Sequence, residues 1–431
     1  MIPVLVLLAL GGLMHAARSF APAGASMELA FGFLLLTSYF TGTLVARAAM
    51  PRLTGYIIAG VVVGPSVLVL VDRSTTSELR MVGDLATALI ALNGGAELEV
   101  RAIRPLLRTI SAIVWWAVIG AMVLLTGLIF AIRDLIPFMS DLSLAHALAV
   151  ASVLAVALAA QSPAVVMALI GETRADGTLT RTVLAVVVIA DLVVVVAYGV
   201  ASSIASAVVN GHTDVARTAS VIAWEVLGSG ALGVFVGALI GAYLLRVKQG
   251  IGLFTLLVCF TIAQVGLALH LDPLIVMLAA GMWIQNVSRA DAHTLIDNFE
   301  AASLPIYLVF FALAGAKVEL AVLATLAIPI AIIAIGRGVV FHFGVRIAAR
   351  KSDEPSIARY GWLGLLPQAG LALAIAELLR RTFPSFGEQA FALVVGIVGV
   401  NQLVAPILLR VALVRSGEAG ARPVNAVAHP A

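Results

Sequence analysis

The sequence predicts an all-α polytopic membrane protein with thirteen or fourteen transmembrane helices, an inverted-topology repeat and two crossing broken helices. Three observations predict this fold: the hydropathy, similar stretches about 220 residues apart, and a proline-containing interruption at matching places in the two halves. Of the 431 residues, 62% are hydrophobic and 11% are charged, and the mean hydropathy is +1.11. Soluble domains have about 25% charged residues, so this composition excludes a soluble fold.

Fourteen apolar segments account for most of the chain, and no stretch between them is long enough for a soluble domain. The first segment resembles a signal peptide in length, but no Lys or Arg precedes it, so we predict a retained helix over a cleaved one. The segments are residues 2–17, 27–46, 54–70, 79–98, 109–132, 144–171, 179–209, 220–245, 251–269, 273–285, 303–315, 321–347, 357–379 and 388–413.

The loop charges predict the orientation of these segments. Each loop is numbered by the apolar segment that it follows. The even-numbered loops and the C-terminal tail contain 17 Lys and Arg residues, and the odd-numbered loops contain 8. By the positive-inside rule, both termini are therefore expected in the cytoplasm. No basic run suits nucleic acid, and the single Cys259 provides neither a disulfide nor a thiolate metal site. No nucleophile–base set, HExxH motif or phosphate loop is present, so we expect no enzyme activity.

The two halves of the chain repeat each other weakly. The stretch GYIIAGVVVG at 55–64 is echoed by IVMLAAGMWI at 275–284, and ALIALNGGAELEV at 88–100 by LVFFALAGAKVEL at 308–320. The matching segments are seven apart in the segment order, which is an odd number. The two halves therefore cross the membrane in opposite directions, which is typical of transporters.

One segment in each half is interrupted, by AAQSPAVV in the first half and LLPQAGLA in the second. Proline removes a backbone hydrogen bond, and in lipid the freed backbone must be buried in protein or line a wet cavity. Two such helices crossing at the midplane bring their partly charged ends together. A simple proline kink is the alternative for either break alone. The residues at the breaks are Gln161, Ser162, Pro163, Pro367, Gln368 and Gly370, of which Gln161 and Ser162 offer oxygens to an ion.

Two opposite charges lie deep in the predicted helices. Asp191 is ten residues from Arg181, or about 15 Å into its helix, and Arg337 is nine residues from Arg346, or about 14 Å into its own. Ionisable residues at such depth usually mark function. Arg337 could pair directly with Asp191, as a structural ion pair or a functional one, or neutralise the carbonyl ends of the broken helices.

The acid at mid-membrane suggests a mechanism. A carboxylate in a low-dielectric site favours its protonated form, and a nearby cation opposes this, so a proton and a metal cation can compete for one pair of oxygens. Asp191 is therefore the predicted ligand for Na⁺ or K⁺, and no cofactor is implied. Asn93, Asn401, Gln402 and His342 are candidates for lining a cavity. Core hydrogen bonding explains the three amide side chains as well, and packing is the favoured explanation for His342.

Several stretches resemble the monovalent cation:proton antiporter superfamily, on its Kef-like branch of sodium–proton exchangers. They are LTGYIIAGVVVGPSVL, GGAELEV, AQSPAVVMALI, IADL and GLLPQAGLALAIA, and the resemblance extends from about residue 31 to 413. It implies the sodium/proton antiporter fold and a homodimer in which a core domain moves like an elevator against a dimerisation domain. It also implies that Asp191 binds the ion and the proton and that Arg337 lies beside the first crossing.

The resemblance implies a division of the chain into domains. An extra N-terminal helix occupies 1–26, and a disordered tail occupies 416–431. Dimerisation-domain helices occupy 27–108 and 251–320, core-domain helices occupy 109–209 and 321–415, and a linker helix occupies 210–250.

The sequence also departs from that superfamily. Ala190 precedes Asp191 where many members have Asp, Asn or Gln, which resembles single-acid, electroneutral exchangers. The first break lacks the Thr-Asp pair of some relatives, and the second lacks the Glu of potassium-efflux members. No cytosolic nucleotide-binding domain, and no regulation by one, is expected after the last segment.

These observations favour an electroneutral Na⁺ or K⁺ to H⁺ antiporter of the plasma (inner) membrane. Three alternatives stay open: a transporter of an organic anion or other solute on a similar scaffold, a passive cation channel, and a membrane sensor or assembly partner that transports nothing. The first predicts a roomier cavity at the crossing, the second conduction without loss of a pH gradient, and the third no flux.

Overall fold

A computed structural model describes residues 2–20, 27–48, 50–210, 220–221, 223–247, 249–290, 292–318, 320–352, 354–383 and 385–421. Helices are the only regular elements in these ranges. The α-helices are α1 Ile2–Phe20, α2 Met27–Arg47, α3 Arg52–Val63, α4 Arg73–Glu78, α5 Arg80–Glu97, α6 Val100–Ile103, α7 Leu107–Ile113, α8 Gly120–Ala131, α9 Leu144–Ala159, α10 Pro163–Thr173, α11 Thr178–Asn210, α12 Ser229–Arg246, α13 Ile251–Leu269, α14 Pro273–Asn286, α15 Ala292–Ala316, α16 Leu320–Thr325, α17 Ala327–Ala348, α18 Pro355–Tyr360, α19 Gly370–Thr382 and α20 Gly387–Arg415. Short π-helices at Val114–Ile119 and Trp224–Gly228 and a 3-10 helix at Gly361–Leu365 continue some of them.

Each predicted apolar segment coincides with a helix or a consecutive set of helices. Among the described residues, seven helices are long and apolar enough to cross a membrane, and the bent pair Pro355–Leu365 and Gly370–Arg380 makes an eighth. The remaining segments form α1, α5 and four shorter apolar helices, Arg52–Val63, Ile251–Gly266, Pro273–Asn286 and Leu304–Ala316. The chain is therefore a multi-pass membrane protein, and helix length alone undercounts the predicted spans.

The buried side chains form two hydrophobic clusters. The larger cluster comes mainly from α7 to α11 and α17 to α20, and we call these helices the core unit. The smaller cluster comes mainly from α1, α2, α5 and α12 to α15, which together with α3 form the scaffold unit. Leu53 and Ile57 of α3 belong to the larger cluster, so the first turns of α3 pack against the core unit.

The sequence repeat is matched by the packing of the scaffold unit. A Cβ atom on Gly60 of α3 would collide with the backbone of α15, and one on Gly315 of α15 would collide with the backbone of α3. The same reciprocal relation holds between Gly95 of α5 and Gly281 of α14. In the repeat, Gly95 corresponds to Gly315, and Gly281 lies one residue beyond Ala280, the position that corresponds to Gly60. Glycines at or next to equivalent positions therefore make equivalent close approaches, as small residues do between membrane helices.

Two helices of the core unit are broken, as the sequence predicts. The first stops at Ala159 and resumes at Pro163, and the chain between them is extended at Ala160 and Ser162. The second stops at Leu365 and resumes at Gly370, with a bend of 43°. Their halves leave carbonyl ends and amide ends inside the unit, which is where the site is built.

Some predicted regions lie partly outside the described residues. These are 21–26 beside the extra helix, 211–219 in the linker and 422–431 in the tail. The first six residues of the predicted tail, 416–421, form turns with defined hydrogen bonds: the Asp176 amide donates to the Glu418 carbonyl, and the Gly420 amide donates to the Thr173 carbonyl.

Candidate functional site

Arg337 binds the carbonyl ends of both broken helices. Its Nε donates to the Leu158 carbonyl oxygen at 2.7 Å, and one terminal nitrogen donates to that of Leu366 at 2.7 Å. The other terminal nitrogen donates to Ala160 at 2.9 Å and to Leu365 at 3.0 Å. The side chain is 0% exposed. A full positive charge thus compensates two half-helix ends, each of which has about half a negative charge.

Gln368 and Asn401 complete the same network. The Gln368 amide nitrogen donates to the Leu158 carbonyl at 3.0 Å and to the Ala160 carbonyl at 3.2 Å. The Gln368 Oε1 accepts a 2.6 Å hydrogen bond from Asn401 Nδ2. Gln368 therefore connects the second break to the first and to α20, and Asn401, predicted as a cavity residue, positions Gln368.

The first break is held by its own side chains. The Ser162 hydroxyl caps α10 by accepting from the Val165 amide at 3.3 Å, and Pro163 occupies the first helical position, where its missing N–H costs nothing. The Gln161 amide nitrogen donates to the Ala159 carbonyl. The Gln161 Oε1 is buried without a hydrogen-bond partner, so one oxygen at this break is available to a ligand.

Asp191 is the buried acid of the site. It lies in α11, a helix that packs against α9, against the 3-10 half of the second broken helix and against α19. Its side chain is 6% exposed, and neither carboxylate oxygen has a hydrogen-bond partner. A buried charge without a partner is too costly to persist, so the carboxylate needs a proton or a bound cation.

The structure distinguishes between the two expected roles of Arg337. All of its nitrogens are engaged by carbonyl oxygens, and no ion pair connects it to Asp191. Its guanidinium also lies 4.7 Å from the ring centroid of Phe341, one turn along the same helix. Arg337 therefore neutralises the helix ends and leaves the charge of Asp191 uncompensated.

The remaining predicted residues lie apart from this network. Asn93 on α5 is half-buried, and its Oδ1 has no partner. The His342 ring packs edge-on against Phe343 and Trp362 at 5.3 and 5.1 Å, as a packing histidine does. The second break contains Pro367, which is buried, and ends at Gly370, where an added Cβ atom would meet no other atom within 4 Å.

A cavity of about 1060 Å³ lies between the scaffold unit and the core unit. Pro65 and Ser66, just beyond the end of α3, line it at one level, and Arg380 of α19 lines its exposed rim. Ala369 and Gly370 line it at the second break, together with the buried Gln402. The cavity thus reaches the crossing from the end of the molecule where α3 stops. Asp191 is not one of its lining residues.

Sequence reasoning missed two carboxylates that bind distant helix ends. Glu172 accepts hydrogen bonds from the first amides of α3, and Glu418 accepts them from the first turn of α11. No periodicity signals either contact, because the partners are 120 and 239 residues apart. The contact between Arg337 and Phe341 was easier to predict from the sequence, because a spacing of four residues places both side chains on one helix face.

Crossed broken helices, an arginine on their carbonyl ends and a buried acid nearby define a membrane transport protein of the inverted-repeat type. The chain matches the family described as sodium/hydrogen exchanger, transmembrane, over residues 4–415. It therefore belongs to the sodium/hydrogen exchanger family, which confirms the resemblance found in the sequence.

Comparison with solved structures agrees on the fold. Two structures of the sodium proton antiporter MjNhaP1 from Methanocaldococcus jannaschii are similar, one of them determined at pH 8 and the other from an electron-microscopy map. The first has a TM-score of 0.67 at 14% identity and covers 90% of this chain and 98% of the other. The second has a TM-score of 0.69 at 15% identity and covers 91% and 96%. The curated proteins contain no match to this chain.

Proposed function

We propose that this protein exchanges a monovalent cation, Na⁺ or K⁺, for a proton, and that the two compete for the carboxylate of Asp191. The observation that carries the proposal is the isolation of this acid: it is buried, both of its oxygens lack partners, and the deep arginine is bound elsewhere. Membership of the sodium/hydrogen exchanger family supports it. So does the antiport of sodium and protons named for MjNhaP1.

One acid also implies the stoichiometry. A single carboxylate is neutral with either one proton or one monovalent cation, so a one-for-one exchange moves no net charge. The Gln161 Oε1 and the Ser162 hydroxyl are the oxygens we assign to the cation beside Asp191. Hard cations prefer such oxygen ligands. The exchange is therefore electroneutral in this proposal.

The two packing units support a proposal of alternating access. The cavity opens between them at one end of α3, and the units pack together at the other end. We propose that the core unit, which contains Asp191, slides as an elevator against a scaffold unit that forms a homodimer. By the loop charges, the cavity opens away from the cytoplasm and the C-terminus is cytoplasmic. We place the protein in the plasma (inner) membrane as part of this proposal.

The test is proton flux in proteoliposomes that contain a pH dye. A Na⁺ or K⁺ gradient should drive proton movement in the opposite direction, with a rate unaffected by an imposed membrane potential. Asp191→Asn should abolish this flux. Asp134→Asn should retain it, because Asp134 is a carboxylate with 72% side-chain exposure in a short 3-10 helix. Coupled flux in Asp191→Asn would refute the role of this acid.

The cavity volume favours one second candidate, the transport of a small organic solute. A volume of about 1060 Å³ is at the upper end of small-molecule sites, which span about 300–1,000 Å³. The same liposomes distinguish the two functions. A solute transporter would leave the internal pH unchanged when Na⁺ or K⁺ is the only gradient, and a passive cation channel would pass current under that gradient.

A further inference from the structure

The first turn of α3 lacks a cap from its own sequence. The residue before it is Pro51, which has no side-chain acceptor, and no side-chain hydrogen bond caps the helix from that position. The first amides of any helix point out of its end without intrahelical partners. The amides of Arg52 and Leu53 therefore need an acceptor from elsewhere in the chain.

Glu172 supplies that acceptor from the other packing unit. The Arg52 amide donates to Glu172 Oε1 at 2.6 Å, and the Leu53 amide donates to Oε2 at 3.4 Å. Glu172 lies in the last turn of α10, the second half of the first broken helix. A negative carboxylate is well placed there, because a helix N-terminus has a partial positive charge. The contact therefore joins the core unit to the scaffold unit.

The contact lies at the end of α3 opposite to the cavity. Pro65 and Ser66, beyond the last turn of α3, line the cavity, whereas Arg52 begins the helix. Between these ends, Met167 of α10 is buried, and its Cγ would lie 3.6 Å from a Cβ on Gly94 of α5. The two units are thus open to each other at one end and closed at the other.

We propose that Glu172 is a latch between the two units and that its contact with α3 must break before Asp191 can be reached from that end. The inference rests on the alternating access proposed above. Glu172 binds no ion in this account. It is a positioning residue that sets the balance between the conformation open at the cavity and the one open at the other end.

Glu418 offers a matched control for the latch. Its carboxylate accepts from the Leu179 amide at 2.8 Å and from the Thr180 amide at 2.7 Å, so it caps α11 as Glu172 caps α3. Residue 418 follows α20, and both α20 and α11 belong to the core unit. A relative movement of the two units does not break this cap. Loss of Glu418 should weaken the core unit without changing the conformational balance.

The donor side of the latch can be removed separately from its side chain. Arg52→Pro deletes the amide that makes the 2.6 Å hydrogen bond, while proline is tolerated at the first helical position. Pro51 already has φ −58° and ψ 139°, which suits a residue before proline. Arg52→Ala removes the same side chain but keeps the amide. Comparing Arg52→Pro with Arg52→Ala separates the effect of the backbone hydrogen bond from the effect of the arginine side chain.

The experiment measures the labelling rate of single cysteines by a water-soluble maleimide in the full-length protein in liposomes. Cys259 is buried and can stay in place. Thr87→Cys reports on the cavity, and Met167→Cys reports on the closed interface. The Arg52–Glu172 hydrogen bond is exposed to solvent, which weakens it, so its loss should shift a two-state balance severalfold, by about tenfold at most.

We expect Glu172→Ala and Arg52→Pro each to speed labelling of Met167→Cys severalfold, by about tenfold at most, and to slow labelling of Thr87→Cys. The double variant should label no faster at Met167→Cys than either single variant. Arg52→Ala and Glu418→Ala should label at the same rates as the parent protein. Unchanged rates in Glu172→Ala and Arg52→Pro would overturn the latch, and so would an Arg52→Ala rate equal to that of Arg52→Pro.

Failure of the latch and failure of the proposed function give different results. Labelling needs no transported ion, so the shift in rates can be observed even if liposomes show no cation-driven proton flux. That result would support the latch and refute the exchange. Normal exchange with unchanged labelling would refute the latch alone.

Discussion

Replacement of Arg337 by lysine tests the charge balance at the crossing. The guanidinium makes four hydrogen bonds to carbonyl oxygens of two different helices. A lysine ammonium has three donors on one atom and cannot span both helix ends in the same way. At least one hydrogen bond to a charged group is lost, at about 1.5–3 kcal/mol each, and the freed carbonyl stays buried. We expect Arg337→Lys to cost about 3 kcal/mol of unfolding free energy.

Thermal unfolding of the purified protein in detergent measures this cost. We expect the midpoint to fall by about 5 °C. Arg346→Lys is the control, because Arg346 is an exposed residue in the last turn of the same helix. The unfolding midpoint of the Arg346→Lys variant should equal that of the unmodified protein. The Arg337→Lys change should combine non-additively with Gln368→Leu, since both side chains bind the Leu158 and Ala160 carbonyls. An unchanged midpoint in Arg337→Lys would refute the reasoning.

Three further predictions concern the site and the packing beneath it. Gln368→Leu removes two hydrogen bonds to carbonyls and leaves the Asn401 amide unpaired, so it should cost about 2 kcal/mol in the same unfolding assay; no cost would contradict the network. Gly95→Ala should cost about 1–3 kcal/mol because its methyl group meets the backbone of α14. Gly94→Ala should be tolerated, because its methyl group meets only side-chain atoms of Met167 and Leu278 at ordinary distances. The concentration of cation needed for half-maximal exchange should rise as the pH falls, because protonated Asp191 cannot bind it; a concentration independent of pH in the flux assay would argue against competition.

The helices and the breaks could be predicted from the sequence because they depend on local signals. Apolar length marks the spans, and Pro163 and Pro367 mark the interruptions. The depth of Arg337 was also predictable, since it follows from counting residues along a helix. Its binding partners were not: the same depth allowed a pair with Asp191 or with the helix ends. Only the direction of the side chain distinguishes these, and packing determines that direction.

Contacts between distant parts of the chain were the least predictable. Asn401 and Gln402 were each expected to line a cavity or to form core hydrogen bonds, and the sequence does not decide between these roles. In the structure Asn401 binds Gln368, and Gln402 lines the cavity. Successive residues of a helix point about 100° apart, so the orientation of α20 about its own axis decides which of the two faces the cavity. The caps supplied by Glu172 and Glu418 likewise depend on where two remote segments meet.

Calorimetry of cation binding tests the role of Asp191 most directly. Titration of the purified protein with NaCl and with KCl, in buffers of different ionisation enthalpy, gives the number of protons released per cation bound. Competition for one carboxylate predicts about one proton released by the unmodified protein, as expected when a ligand must deprotonate to bind a metal ion. It predicts none for Asp191→Asn. Cation binding without proton release, or equal release from both proteins, would contradict the account.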